Sequence, residues 1–166
     1  MSIRMPHNCI LGIDPGYGRC GFGVITANGH DWDCVTHGVI TTTAGLDHPD
    51  RLKEIAEDYE RLLEAHKPDL VGIEELFFVQ STTTALKVAE VRGVIMMMAA
   101  KKGIKVVEVK PTEVKMALTG YGRADKHQIQ EMVKTIFGFK EIPRPDDAAD
   151  ALAVAWTAAT KTGFEK

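Results

Sequence analysis

NCILGIDPG (residues 8–16) is an apolar run that stops at an acid and is closed by Pro15 and Gly16. A short apolar run bounded by turn residues reads as a buried strand. Side chains alternate along a strand, so Asp14 shares a face with Gly12, and a glycine inside a strand marks close approach by another element. The pattern returns in DLVGIEE (69–75), where Gly72 shares its face with Glu74 and leaves Glu75 to the opposite face or to solvent. Two strands therefore end in acids, each beside a glycine against which something packs. The small residues of AADALAVA (148–155) make the last helix the best partner, since alanine lets a helix axis come near a sheet.

Working outward, CGFGVITANG (20–29) and HDWDCVTHGVITTT (30–43) alternate in strand fashion with turn residues between them, predicting an antiparallel meander with the first run. DRLKEIAEDYERLLEAHK (50–67) carries Leu52, Ile55, Ala56, Tyr59, Leu62 and Leu63 at helical spacing and is followed by Pro68. Residues 83–103 predict a long helix, IKVVEVK (104–110) a strand and PTEVKMAL (111–118) a helix. After a Gly-rich loop, Asp125 and Gln128 form a capping box that opens a helix over 125–137. The order βββαβαβααα predicts an α/β fold whose mixed five-stranded sheet has three antiparallel strands and then two parallel ones, flanked by helices.

The chain has 166 residues, 45% hydrophobic and 26% charged, the composition of one globular domain, expected to span 1–166 with 1–7 as a flexible start. No apolar run approaches the roughly 20 residues of a membrane span, and MSIRMPHN lacks the apolar stretch of a signal peptide, so a cytoplasmic protein is expected. Cys9, Cys20 and Cys34 lack C-x-x-C spacing and are expected to fill apolar space. The net charge of −3 hides a division: residues 101–126 hold seven Lys or Arg against three acids, a local excess of +4. The molecule is thus expected to have a basic side and an acidic side, the former suited to a nucleic-acid backbone.

PDDAADALAVAW (145–156) sets Asp146, Asp147 and Asp150 at the head of the last helix. Asp146 after Pro145 suits an N-cap. Asp150 sits a turn inside, on the face of Asp146 and Asp147, where like charges repel unless a cation lies between them. If that helix packs on the strand glycines, Asp14, Glu74, Asp147 and Asp150 converge. Such an oxygen-rich pocket suits hard divalent cations rather than zinc.

GIDPGYGRCGFGVI, GIEELFFVQSTTTALKVAEVRG and DDAADALAVA resemble, in order and spacing, the motifs of the RuvC-type Holliday junction resolvases, over nearly the whole chain from residue 8. The resemblance implies an RNase H-like fold and a homodimer. It also implies a metal-dependent endonuclease that makes paired nicks across a four-way DNA junction, with 5′-phosphate and 3′-hydroxyl products and a preference for a short thymine-containing sequence. It assigns catalysis and metal binding to Asp14, Glu74, Asp147 and Asp150, with Asp14 as the bridging ligand. Two Mg2+ per site are implied, with Mn2+ as a substitute and a branch-migration motor as a further partner. Two metals roughly 4 Å apart serve both ends of an in-line phosphoryl displacement.

The resemblance also matches Lys115 and Lys126 to basic positions near the junction backbone, and Phe77 to a base-contacting aromatic. Lys126 stands at a capped helix start, where amides favour phosphate. Phe77 and Phe78 follow Glu74 in a loop, one to stack on an unpaired base and the other to pack inward. Tyr121 in GYGR suits either DNA contact or turn packing, and His127 reads as surface. VRGVIMMMAA (91–100) is apolar around much of its helix, which suits core burial and a dimer contact. Three rivals fit the sequence less well. An actin- or Hsp70-like ATPase needs a second Asp-Gly-rich hairpin that is missing here, ribonuclease H is the nearest enzymatic alternative, and an inactive junction-binding module would not need all four acids.

Overall fold

In the computed structural model, which describes residues 8–76 and 81–163, the strand Cys9–Asp14 (β1) lies at the centre of a five-stranded sheet. Arg19–Asn28 (β2) and Asp31–Thr41 (β3) extend it as the expected antiparallel meander, and Leu70–Glu74 (β4) and Lys105–Val109 (β5) add two parallel strands on the other side. The spatial order is β3-β2-β1-β4-β5. Each parallel strand follows a helix, because a parallel partner requires a crossover. His48–His66 (α1) precedes β4 and Thr82–Lys101 (α2) precedes β5. Pro111–Thr119 (α3), Lys126–Ile136 (α4) and Asp146–Thr162 (α5) complete the predicted order.

Strand alternation divides the core between the two faces of the sheet. Leu11, Ile13, Val24, Val71 and Ile73 pack with Ile55 and Tyr59 of α1 and with Val91, Ile95 and Ala99 of α2. Ile10, Ile25, Leu70, Val107 and Val109 face α3, α4 and α5. From Ala148 to Ala159 nearly every residue of α5 is buried, the pattern of a helix enclosed on all sides. Cys9 and Cys20 are buried, Cys34 is half-buried and all three are free thiols. Among the described residues, no helix is long and apolar enough to cross a membrane.

What sets α5 so close to the sheet is a trough of glycines. A Cβ on Gly12 would lie 2.2 Å from the Ala151 carbonyl oxygen, and one on Gly72 would lie 2.8 Å from the Ala158 Cβ. Gly21 and Gly23 of β2 extend the trough: an added Cβ would lie 2.1 Å from the Asp147 carbonyl oxygen at the former and 2.7 Å from the Leu152 side chain at the latter. Gly12 is in register with both Gly23 and Gly72, so the trough runs across three strands under the helix.

The helix starts differ in one respect from expectation. α4 opens with the predicted capping box: Asp125 accepts from the Gln128 N–H and Gln128 accepts from the Asp125 N–H, both at 2.8 Å. In α5, by contrast, Pro145 occupies the cap position and Asp146 is the first helical residue, with no side-chain cap. Extended Pro145 already turns the chain into the helix. The Asp146 carboxylate is left to accept from Arg144 at 3.0 Å and to pair with Lys126 at 3.2 Å.

Candidate active site

Asp14 and Glu74 are the last residues of adjacent parallel strands, whose register pairs Ile13 with Ile73 one position earlier. The two carboxyls hydrogen-bond to one another. Asp14 also stands opposite Gly21 in the β1–β2 register, and Gly21 is where the backbone of Asp147 touches the sheet. The glycine trough thus carries the first turn of α5 to the strand ends, and the four acids expected to converge are brought into one electrostatic neighbourhood.

Burial dominates the electrostatics of the inner acids. It pushes the Asp14 carboxyl up to about 8, reinforced by Glu74, Asp150 and Asp147. Glu74 is also raised, by burial and by Asp150, with partial relief from the Asp14 hydrogen bond and from Arg92. At neutral pH Asp14 therefore keeps its proton and donates it to Glu74. Asp150 is raised by burial, with Lys126 opposing and Asp147 and Asp146 adding to the rise.

The α5 acids are occupied differently. Arg19 Nε donates to Asp147 at 2.9 Å, and Lys126 Nζ lies 3.2 Å from Asp146 and 3.7 Å from Asp150. Burial works against the Lys126 ammonium, but Asp150, Asp146 and Asp147 outweigh it and raise its pKa. With the acids of α5 turned toward these cations, no three Asp, Glu, His or Cys side chains among the described residues gather closely enough to hold a metal ion. The Arg19–Asp147 pair is substantially exposed, so it contributes no more than about 1 kcal/mol and is readily exchanged for another cation. Among the described residues, neither Asp14 nor Glu74 has an ion pair of its own. Two half-buried carboxyls side by side at the strand ends, with Asp147 and Asp150 in their electrostatic neighbourhood, form an oxygen-only donor set of the kind that suits a hard divalent ion.

Arg92, which no sequence motif singles out, supports the inner pair. It reaches from α2 with its side chain only 12% exposed, donates from Nε to the Glu74 carbonyl at 3.0 Å and places Nη2 3.3 Å from Glu108 on β5. The one available signal is a lone arginine in the otherwise apolar run VRGVIMMM. Lys115 on α3 and Lys126 on α4 line a cleft of about 280 Å3 together with Glu74 and Asp150. Glu75 lies beyond β4, where its backbone N–H donates to the Val109 carbonyl. Tyr121 is exposed, and His127 is exposed beside Glu131. Phe77 and Phe78 lie outside the described residues.

Comparison with known proteins places this geometry in a family. The profile of crossover junction endodeoxyribonuclease RuvC matches residues 10–158. The crossover junction endodeoxyribonuclease RuvC of Thermosipho melanesiensis is 48% identical over 93% of this chain and 99% of its own. That of Thermotoga petrophila is 52% identical over 89% of each. Thermus thermophilus RuvC, solved in complex with a Holliday junction substrate, superposes with a TM-score of 0.89 at 33% identity, covering 95% of this chain and 96% of that one. By the extent of these matches, the chain belongs to the RuvC family of crossover junction endodeoxyribonucleases.

Proposed function

We propose that the chain resolves Holliday junctions in DNA recombination and repair: as a homodimer it makes paired symmetric nicks by metal-dependent hydrolysis, leaving 5′-phosphate and 3′-hydroxyl ends. The observation that carries this reading is the half-buried Asp14–Glu74 pair at the ends of adjacent parallel strands, flanked by Asp147 and Asp150, in a chain of this family. These four acids would hold two Mg2+, with Mn2+ as a substitute. When bound, the ions supply an activated water and charge for the leaving 3′ oxygen.

The chain's own residues have separate tasks. Asp14 releases its shared proton so that it and Glu74 act as full carboxylates. Arg92 fixes the end of β4 through the Glu74 carbonyl, limiting where that carboxylate moves. Lys126 and Lys115 attract phosphate along the cleft, and Lys126 shifts from Asp146 and Asp150 toward the DNA backbone as it arrives. Phe77, next after the strand end and its short exit, stacks on an unpaired base. On the reverse side of the sheet, Leu86, Glu90, Gly93 and Met97 form one exposed stripe of α2, and this stripe meets its copy across a two-fold axis. The whole chain, 1–166, serves as one nuclease domain, acting in the cytoplasm beside a branch-migration motor.

The test is cleavage of a four-way junction against an RNA:DNA hybrid, with magnesium, by the native chain and by Asp14→Asn and Glu74→Gln. Junction cutting that both variants abolish, while junction binding survives, is the expected result. Preferential cutting of the hybrid would make the chain a ribonuclease H, and tight binding without cutting would make it a binding module.

A further inference from the structure

We propose that the cleft beside the acids is a nucleoside subsite, which seats the sugar and base of one nucleotide adjoining the scissile phosphate; this rests on the resolvase reading. The cleft, of about 280 Å3, opens between α3, α4 and α5. Its lining includes an apolar set: Val114 from α3, Ala124 from the loop before α4, Ile129 from α4 and Ala153 from α5, all buried in the core. Its charged lining is Glu74, Asp150, Lys115 and Lys126, with Lys126 Nζ 3.7 Å from Asp150.

That arrangement restricts the occupant. A phosphate has no place against the apolar set, where no polar group would replace its water. It is favoured against the lysines. The group inside must therefore be uncharged and largely apolar, and must carry an anion at its outer end, which describes a deoxynucleoside within a DNA strand. The volume lies just below the ~300–1,000 Å3 usual for small-molecule sites, room for one nucleoside and not two. Asp125, the remaining polar wall, spends its carboxylate on the Gln128 N–H of the capping box. The base is thus sensed by shape and apolar contact, not by hydrogen bonds to its edge. Because Glu74 and Asp150 border the cleft, a nucleoside seated there sets the distance of the neighbouring phosphate from the acids.

The experiment is single-turnover cleavage of immobile four-way junctions in which the nucleotide on the 5′ or the 3′ side of the cut is made abasic in turn. The native chain should cut one of these junctions about tenfold more slowly than the intact one, as expected when a substrate is imperfectly positioned. Val114→Phe, which fills the cleft, should slow the intact junction similarly but cut the abasic one at least as fast as the intact one, because the ring occupies the space the base has left. Val114→Met serves the same purpose should the phenylalanine variant melt below the assay temperature. Equal native rates on intact and abasic junctions would overturn the subsite, as would equal losses by the filled variant on both. A native chain that cuts no junction would instead strike the resolvase reading, so the two failures are distinct.

Discussion

At the scale of single residues, Asp14 makes the folded state pH-dependent in a defined sense. In the unfolded chain its carboxyl ionises near 3.8, whereas in the folded chain it holds its proton up to about 8. Between those values the folded state binds the extra proton, so metal-free stability falls as pH rises through this window and levels off above it. Melting curves in chelator from pH 5 to 8 should show this decline, and Asp14→Asn should flatten it; a variant that keeps the native slope would reassign the proton. The α5 acids predict opposite behaviour from near neighbours. Asp146→Ala removes a partner of Lys126 and Arg144 rather than a cap, so melting temperature should barely change and cutting should persist. Asp150→Asn relieves repulsion on a crowded face, so the metal-free chain should melt no earlier while cutting is lost. Early melting with intact cutting by Asp150→Asn would exclude it from the site. The inner pair was legible because each acid follows a glycine by two residues, a local pattern. The fate of Asp146 was not, because the choice between its own helix amides and two cations is made by tertiary proximity to Lys126, 20 residues earlier in sequence.

Among the elements, α5 joins stability to chemistry, and two substitutions separate these roles. Leu152 is fully buried over Gly23, and Leu152→Ala should cost about 2–5 kcal/mol as a cavity opens. The cavity leaves the helix axis in place, so cutting at a permissive temperature should be nearly native. Gly12→Ala acts in the reverse sense. Its Cβ would meet backbone, the Ala151 carbonyl at 2.2 Å and the Ala155 nitrogen at 2.6 Å, and backbone yields only by moving the helix. Overpacking of this kind costs about 1–3 kcal/mol, but it also lifts Asp147 and Asp150 away from Asp14, so cutting should fall far more than stability. Parallel measurement of urea midpoints and single-turnover rates checks both, and equal ratios of lost rate to lost stability would deny α5 a positioning role. Element order and type were readable from hydrophobic period throughout. The width of the trough was not, since Gly21 and Gly23 carry the same alternation as Gly12 but register alone places them beneath the helix. Arg92 is not legible in the sequence for a related reason: its partners lie on two strands, β4 and β5, that only the folded sheet brings under α2.

Over the whole molecule, the two faces of the sheet divide the work, with the acids beside α5 on one and the proposed contact between copies on α2 at the other. The α2 stripe is unusual for an exposed surface. Leu86 and Met97 are 61% and 50% exposed, and at Gly93 between them a side chain would meet nothing, so a second helix can approach closely there. Arg92 sits next to that glycine and donates to the Glu74 carbonyl, so the helix that would carry the dimer also ties down the end of β4. A junction with two-fold symmetry needs two cuts at matching positions, and only a pair of sites held by one axis places both without dissociation. Leu86→Glu combined with Met97→Glu puts like charges across that axis while leaving every site residue in place. By sedimentation the double variant should be a monomer, with a melting temperature close to native at high concentration if the stripe lies outside the monomer core. Its products should shift from paired cuts to junctions nicked on one strand, and joining the second nick to the first should become dependent on enzyme concentration. A double variant that remains dimeric and still cuts in pairs would move the interface to another face of the molecule.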